Sequence, residues 1–538
     1  MGRPRTYGAR KTHPSVAASA LFSSISRNSQ HTRFPASPER SALADITSAV
    51  TNLNLDADTE NGENRVGHNH DDDDDDDGDE TTEGPILQVD ENDDLEIEDE
   101  TSILDGKHAH LLPLVTAYGI DTGRKMTTHS WADLLPSDCT VIKISEASYA
   151  EVYRITIPSG ETSIIKVMRI QSPLDPDSSA SDTAIRVENI VSEVRIMNTL
   201  TELPGFVRFK DAHIILGRSV QAFIDAYEQR EEACKEGRES QFPHPKLYTD
   251  ASEFLAIELG DAGCVLEDFA VTNIEQVWDI LLGTILALAK GEMANEFEHR
   301  DLHENNICVS VSPNSSDHTE VSANPDLKLG RAGVKTTLID YGLSRAKLQD
   351  GTIVYLDLEE DPMVFQGSEG HPQFNAYRRM RTTLLTSQRT AKTKSWHASH
   401  TLPAHTSWAQ YTPYSNVIWI GYMVGYLKKA LKKTSSSSNH HSSSTHHSSR
   451  SGKASSSGKT SKVGSEKQSG SGRTSKDVLA AFNEETKTLT GRLDPRTKIS
   501  NGAFGTATEV LFYCVERGWV SEVQAEEYGA DVSGVFEC

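Results

Sequence analysis

The sequence predicts an α+β protein of two lobes, in which a small β-sheet lobe with one helix precedes a mainly helical lobe. A long disordered tail precedes both. Three observations predict this class. Residues 140–170 alternate apolar and polar side chains in short β-branched runs, as strands do. Residues 275–295 show a long apolar helical pattern. Residues 1–108 have too few apolar side chains to offset the entropy of folding.

The acidic side chains are concentrated in this tail. The 538 residues have a formal net charge of −26, yet residues 51–100 alone hold 22 acids and a single base. The net charge therefore says nothing about the partners of the ordered part. We expect residues 1–108 to form the tail, 109–263 the sheet lobe and its hinge, and 264–538 the helical lobe. Within the helical lobe, the Ser-rich residues 434–474 are predicted to be a disordered insert.

Cysteine usage and hydropathy exclude several classes of protein. The six cysteines are scattered and lack any C-x-x-C pair, which argues against a disulfide framework and a structural zinc site. No stretch approaches 18 consecutive apolar residues, and the N-terminus has no apolar signal core, so we expect no membrane association. A reducing compartment is expected, without a choice between nucleus and cytoplasm.

The order of the predicted elements is that of a protein kinase. Strands are expected at 140–144, 151–157, 163–170, 211–216 and 253–259, with a helix at about 183–200 between the third and fourth. A polar connection separates the last two strands. In the second lobe, the helix at 275–295 leads into a polar loop. Two short strands are then expected on either side of a polar insertion at 311–333. Helices are expected at about 476–490 and 507–517.

The polar loop His299-Arg300-Asp301-Leu302-His303-Glu304-Asn305-Asn306 has the spacing H-R-D-x-x-x-x-N of a kinase catalytic loop. Phosphoryl transfer requires a carboxylate that accepts or orients the proton of the attacking hydroxyl. It also requires an amide oxygen that reaches the metal ion neutralising the phosphates. We predict that Asp301 is the base and that Asn306 is a metal ligand.

Three further residues complete a five-part site in the expected chain order. Lys166 ends the run S-I-I-K on the third strand, where a lysine contacts the α- and β-phosphates of ATP, and Glu193 on the next helix would hold that lysine. Asp340 in I-D-Y-G follows a predicted strand and would bind Mg²⁺. Each residue alone has an ordinary structural explanation, but the ordered set predicts a kinase-like fold.

The glycine-rich turn that covers the phosphates in kinases is missing here. Residues 145–152, Ser-Glu-Ala-Ser-Tyr-Ala-Glu-Val, have lost its three glycines.

Several stretches resemble the haspin family, divergent eukaryotic protein kinases that phosphorylate histone H3. H-R-D-L-H at 299–303 and I-D-Y-G-L-S-R at 339–345 are similar to the catalytic and metal-binding motifs of that family. More specific are F-Q-G-S-E-G-H-P-Q-F-N-A-Y-R-R-M at 365–380, which lacks the usual A-P-E, and the segment W-A-Q-Y-T-P-Y-S-N-V-I-W at 408–419. The resemblance covers roughly residues 109–538.

The resemblance implies a serine/threonine kinase that uses ATP and Mg²⁺ and needs no activation-loop phosphorylation. The implied catalytic residues are Asp301, Lys166, Glu193 and His303, and the implied metal ligands are Asn306 and Asp340. The implied nucleotide-binding residues are Ile144, Val152, Lys166, Leu259, Gly260, Gly263, Asn306 and Asp340. The implied substrate is a threonine near the N-terminus of histone H3 in mitosis, at chromatin. We expect a nuclear, chromosome-associated monomer, with cytoplasm as an alternative and without direct sequence-specific nucleic-acid binding.

Three departures from the family leave alternatives open. The acidic stretch expected to grip a basic histone tail reads G-S-E-G-H-P-Q-F here, with Glu369 as its only acid, and Glu304 replaces a usual Trp. The lost glycines favour a second hypothesis, a pseudokinase that serves as a chromatin-bound interaction module. A third hypothesis is a small-molecule phosphotransferase, a class that shares H-x-D-x-x-x-x-N and also relaxes the glycine turn.

Overall fold

The structure, a computed structural model, describes residues 106–147, 149–175, 183–234, 240–311, 324, 326–437 and 475–527. The predicted tail up to residue 105 lies outside the described residues, as does most of the predicted Ser-rich insert. Within the described part the predicted α+β class is confirmed, with a sheet lobe followed by a mainly helical lobe.

A six-stranded sheet forms the first lobe, in the order β1-β5-β6-β4-β3-β2. Its pairs are antiparallel except for β1, which runs parallel to β5. The five predicted strands are all present, and β1 is an additional edge strand. The strands are β1 (Thr127–His129), β2 (Thr140–Glu146), β3 (Ala150–Thr156), β4 (Thr162–Arg169), β5 (Phe209–Leu216) and β6 (Glu253–Gly260).

Three helices accompany this sheet, where the sequence predicted one. The predicted helix is α2 (Val187–Leu200), and the additional helices are α1 (Leu112–Thr122) and α3 (Gln221–Ala233). Helix α3 lies in the connection that was predicted only to be polar. Phe223, Ile224 and Tyr227 are buried on one face of it, but they are outnumbered by charged and amide side chains, so the apolar stripe is short.

Helix α1 holds α2 in place. The guanidinium of Arg195 on α2 donates two hydrogen bonds to the carboxylate of Asp121 on α1, at 2.7 and 2.9 Å. The side-chain amide of Asn198 donates to the carbonyl oxygen of Asp121 at 3.1 Å. A two-pronged arginine–carboxylate pair fixes both distance and orientation, so α1 positions the helix that carries Glu193.

The second lobe begins with a small sheet against a long buried helix. Strands β7 (Cys264–Val265), β8 (Ile307–Val311) and β9 (Val334–Leu338) form the sheet, and the helix is α4 (Ile274–Asn295), close to its predicted bounds. Buried Asp279 on α4 accepts backbone hydrogen bonds from Gly330, Arg331, Ala332 and Val334. This carboxylate therefore fixes the entry of β9, the strand that leads to Asp340.

The remaining elements complete the helical lobe. They are β10 (Arg345–Lys347), β11 (Ile353–Tyr355), α5 (Pro372–Thr386), α6 (Lys394–Ser399), α7 (Tyr414–Ser437), α8 (Ser475–Glu485), α9 (Lys487–Leu493), α10 (Ala507–Glu516) and α11 (Glu522–Glu527). Helix α7 runs into the predicted Ser-rich insert. Thr506 caps α10 through its hydroxyl, which accepts from the Glu509 amide at 2.9 Å, as the sequence predicted. In the described part of the chain, no helix combines the length and apolarity needed to cross a membrane.

The start of the described chain is tied to the sheet through a buried carboxylate. Glu253, at the start of β6, is 1% exposed and accepts hydrogen bonds from the imidazoles of His108 and His110. The second of these bonds is 2.6 Å long. His108 belongs to the segment that was predicted to be tail, so the ordered domain begins slightly earlier than the sequence indicated.

Two truncations should therefore differ in their effect on stability. Deleting residues 1–105 is expected to leave the melting temperature unchanged. Deleting residues 1–110 removes both histidines and leaves the carboxylate of Glu253 buried without them, which should cost about 2 to 4 kcal/mol. Thermal melting of the two chains, compared with the full-length chain, measures the difference. Equal melting temperatures would contradict the anchoring role of His108 and His110.

Candidate active site

Lys166 and Glu193 form a buried ion pair between the sheet and helix α2. Lys166 Nζ lies 2.5 Å from Glu193 Oε1 and 3.4 Å from Asp340 Oδ1, so the cation connects the two lobes. Burial alone lowers the pKa of Lys166, but the carboxylates of Asp340 and Glu193 outweigh it and hold the pKa above its usual value. The lysine is therefore a fixed cation. Burial raises the pKa of Glu193, and Lys166 opposes that rise.

The backbone of the catalytic loop is held by buried polar side chains. Asn416 on α7 accepts from the His299 amide at 3.1 Å and donates to the carbonyl oxygen of Phe297 at 2.8 Å. The imidazole Nε2 of His299 lies 3.2 Å from the carbonyl oxygen of Ile339, next to Asp340. Burial lowers the pKa of His299 to about 4. A carbonyl oxygen only accepts, so this neutral imidazole carries its proton on Nε2.

Arg300 has a left-handed backbone with φ of 64° and a fully buried guanidinium. Its Nη2 donates to Glu298 Oε1 at 3.1 Å and to the carbonyl oxygen of Trp408 at 2.7 Å. Left-handed backbone is uncommon for a residue with a side chain and persists where the surroundings enforce it. The buried contacts of Arg300 therefore fix the turn that presents Asp301.

Asp301 lies at the centre of a polar cluster. Its carboxylate accepts a short hydrogen bond from the hydroxyl of Tyr377 on α5, and His303 Nε2 is 3.7 Å away. Burial raises the pKa of Asp301 to about 6, although the charge of His303 and hydrogen bonds from Tyr377 and Gln373 counteract the rise. A carboxyl group with this pKa is ionised at pH 7 and basic enough to accept a proton.

Asn306 and Asp340 are suited to a magnesium site. The amide nitrogen of Asn306 donates to the carbonyl oxygen of Asp301 at 2.8 Å, so the amide oxygen is turned away from that bond. Burial alone would raise the pKa of Asp340, but nearby Lys166 lowers it below its usual value and keeps the carboxylate ionised. Magnesium is commonly held by one or two carboxylates together with phosphate oxygens. These two side chains therefore fit a metal ion that a nucleotide helps to bind, and the metal would supply charge neutralisation.

The remaining predicted nucleotide contacts lie on the strands around Lys166. Val152 on β3 is paired with Lys166 on β4, and Leu259 on β6 is paired with Ile164 on β4. Ile144 lies on β2 and packs against the same apolar core as Val152 and Leu259. The sheet therefore assembles these apolar residues beside the lysine, as a nucleotide base would require.

Gly260 and Gly263 belong to the hinge predicted near Leu259–Gly263, where Gly260 ends β6 and Gly263 directly precedes β7. The Gly260 amide donates to the carbonyl oxygen of Arg208 at 2.8 Å. Gly263 has a φ of +94°, and a Cβ there would lie 2.2 Å from the carbonyl oxygen of Val309. Only glycine fits this position, so Gly263 has a structural requirement of its own, in addition to its predicted role in nucleotide binding.

Comparison with known proteins identifies the family. Residues 102–481 match the family described as "Haspin like kinase domain". The chain belongs to the haspin-like kinase family. That match takes in Lys166, Glu193, Asp301, Asn306 and Asp340, so the haspin-like domain contains the whole candidate site. The family assignment made from the motifs is therefore confirmed.

Individual haspin-like relatives are similar over roughly the same region. "Serine/threonine-protein kinase haspin homolog" of Drosophila melanogaster is 29% identical over 314 residues, which are 56% of this chain and 50% of that protein. The Arabidopsis thaliana protein of the same name is 27% identical over 55% of this chain and 46% of its own length. "Serine/threonine-protein kinase haspin homolog hrk1" of Schizosaccharomyces pombe is 26% identical over 53% and 54%. The chain spans about half the length of the curated relatives that it matches.

The phosphate-covering turn shows how this haspin-like chain accommodates the loss of three glycines. The Ala147 amide donates to the carbonyl oxygen of Ala150 at 2.8 Å, which closes the turn between β2 and β3. Ser148 lies outside the described residues. Among the other residues of the turn, none has a positive φ, so side chains are compatible with this backbone.

Two acidic residues in or next to the haspin-like motifs accept hydrogen bonds from other parts of the protein. Glu369 Oε1 accepts from the Lys394 amide at 2.9 Å, at the start of α6. Glu304 Oε2 accepts from the hydroxyl of Tyr422 at 2.6 Å. Both carboxylates are thereby oriented, and Glu304 remains only three residues from Asp301.

Several side chains that contact the catalytic loop were not predicted to be functional. Gln373 and Tyr377 are four residues apart on α5, and the Gln373 amide donates to the Tyr377 hydroxyl at 3.0 Å. Residues at i and i+4 share a helix face, so their spacing in the haspin-like motif at 365–380 was an available signal. Asn416 lies in the other quoted motif, but no local pattern connects it to His299.

Proposed function

We propose that this chain is an ATP-dependent serine/threonine protein kinase that phosphorylates a threonine near the N-terminus of histone H3. One observation supports the proposal most strongly. In a chain of the haspin-like kinase family, Lys166 pairs with Glu193 and also contacts Asp340, in the same site as the base candidate Asp301. In this reaction Asp301 accepts or orients the proton of the threonine hydroxyl. Lys166 stabilises negative charge on the phosphates, while Asn306 and Asp340 hold Mg²⁺.

The histone substrate is proposed from the motif resemblance. A basic histone tail would be attracted by carboxylates near Asp301, and Glu304 lies three residues after Asp301 in the chain. We propose mitotic action at chromatin by a nuclear monomer that does not bind nucleic acid directly in a sequence-specific way.

A pseudokinase is not favoured. A chain released from catalysis has no physical need for a buried lysine placed between two carboxylates, because burying charges costs free energy. The lost glycines do not restore this alternative, since the described residues of the turn adopt ordinary backbone conformations.

Transfer of labelled phosphate from ATP tests the proposal. The acceptors are a histone H3 tail peptide, the same peptide with its third-residue threonine changed to alanine, and free small alcohols. We expect transfer to the first acceptor only. Transfer to the alcohols alone would support a small-molecule phosphotransferase, and absence of both nucleotide binding and transfer would support a pseudokinase.

Tyr377→Phe should shift the acid side of the pH profile to higher pH. The hydrogen bond from Tyr377 lowers the pKa of Asp301, which burial has raised to about 6. Removing the bond therefore raises that pKa further, and the active, ionised base is lost at a higher pH. The dependence of kcat/KM on pH between 5 and 8 reports this change. Tyr422→Phe is the matched control, because its hydroxyl donates to Glu304. An unmoved profile in Tyr377→Phe would contradict Asp301 as the titrating base.

A further inference from the structure

The connection between β5 and β6 contacts the strand that leads into the phosphate-covering turn. Helix α3 in this connection packs on the sheet through buried Phe223, whose ring lies 4.9 Å from that of Tyr153 on β3. The guanidinium of Arg230 donates to the carbonyl oxygen of Ile144 on β2 at 2.8 Å. The connection is therefore attached to β2 just before the turn begins.

After α3, residues Ser240–Phe242 return to the turn itself. The Gln241 side-chain amide donates to the carbonyl oxygen of Ala147 at 2.9 Å. The Gln241 backbone amide donates to Glu146 Oε2 at 3.2 Å, and the Ser240 hydroxyl donates to Glu146 Oε1. Three hydrogen bonds thus connect two consecutive residues of the turn to a segment about ninety positions later in the chain.

A buried cation joins the two strands on either side of the turn. Lys143 Nζ, in a residue that is 3% exposed, lies 2.7 Å from Glu146 Oε1 and 2.5 Å from Glu151 Oε1. Glu146 and Glu151 are opposite each other in the β2–β3 pairing. The Tyr227 ring covers the ammonium group at 4.3 Å. The two ends of the turn therefore cannot separate without exposing or breaking a buried ion pair, which is costly.

These contacts restrain a turn that is joined through β3 to the candidate active site. At the end of the turn, Val152 on β3 is paired with Lys166, the cation that reaches Asp340. Glycine-rich turns are free to change conformation, whereas this turn has side chains and external contacts. A turn that is already restrained loses less conformational entropy when a ligand binds beneath it.

We propose that the segment Ser240–Phe242 is a brace for the phosphate-covering turn and that Gln241 is a positioning residue for nucleotide binding. In this chain, which lacks the three glycines, the hydrogen bonds of the brace hold the turn in position. This inference rests on the proposed nucleotide-dependent function. It predicts that nucleotide affinity depends on the side chain of Gln241, which acts through the carbonyl oxygen of Ala147.

The variant Gln241→Ala tests the brace. We expect a fluorescent Mg·ADP analogue to bind about 5-fold more weakly, as for the loss of one hydrogen bond. Amide hydrogen exchange of residues 145–152 should be faster in the nucleotide-free chain, and the melting temperature should be nearly unchanged. In the transfer assay, KM for ATP should rise while KM for the peptide stays constant. The matched control is Gln221→Ala, whose exposed side chain bonds only to Asp225 among the contacts described, at 2.6 Å.

A second variant, Glu146→Gln, keeps the shape of the side chain but removes its charge toward Lys143 and the brace. It should weaken Mg·ADP binding in the same direction. Wild-type affinity and wild-type exchange rates in Gln241→Ala would overturn the brace, and so would faster exchange without a change in affinity. If the wild-type chain bound no nucleotide, the proposed function would fail and the inference with it. Binding by the wild type and equally by Gln241→Ala would refute the inference alone.

Discussion

Replacing Asp301 with asparagine is expected to reduce phosphoryl transfer by about 10³-fold while the fold stays intact. Asparagine keeps the shape of the side chain and an oxygen that can accept from Tyr377, but it cannot accept the proton of a substrate hydroxyl at neutral pH. The Asn306 amide bonds to the backbone oxygen of residue 301, so the loop keeps its main support. Transfer rates together with thermal melting separate loss of chemistry from loss of structure.

Asp250→Asn is the matched control for this substitution. The side chain of Asp250 is 84% exposed and pairs with Arg218 at the surface, so the same chemical change there should leave both transfer and melting unaltered. If Asp301→Asn transferred phosphate at the wild-type rate, Asp301 would not be the base.

Lys166→Met should abolish measurable transfer and also lower stability. The lysine is the buried cation that Glu193 and Asp340 share, so its removal takes away the charge that stabilises the phosphates and leaves two carboxylates facing each other. Loss of transfer by at least about 10²-fold is expected for a group that stabilises transition-state charge. Destabilisation of about 3 kcal/mol is expected for breaking a buried ion pair.

A double variant separates these two effects. Adding Glu193→Gln to Lys166→Met removes the unpaired negative charge of Glu193. The double variant should recover much of the melting temperature, but it should not recover transfer. Lys210→Met on β5 is the control, because its half-buried ammonium pairs with Glu258 at 3.3 Å on the same sheet. Recovery of transfer in the double variant would contradict a catalytic role for Lys166.

Much of the fold was predictable because the chemistry of this site imposes fixed spacings. The strand that carries Lys166, the helix that carries Glu193 and the long helix before Asp301 all follow from periodicity and motif order. Four of the five predicted residues lie on or within two positions of a regular element, while Asp301 lies in the loop between α4 and β8. Such elements have strong local signals.

The parts that sequence reasoning missed depend on contacts between distant segments. Helix α3 was missed because only a short apolar stripe marks it among polar side chains. The left-handed backbone at Arg300 has no local signal, since it follows from the contacts of a buried guanidinium with Glu298 and Trp408. The role of Tyr377 was missed because its spacing from Gln373 indicates a shared helix face but not the partner Asp301, which lies 76 positions earlier in the chain.

The buried pairing of Arg300 with Glu298 has a consequence for how the enzyme can be controlled. In many kinases an arginine of this region receives a phosphate added to the activation loop, and the enzyme is switched on by that event. Here the guanidinium is already neutralised from within the domain, so a newly added phosphate would gain nothing at Arg300. For the proposed kinase activity, we therefore expect that a phosphate added to the helical lobe does not act as a switch through Arg300.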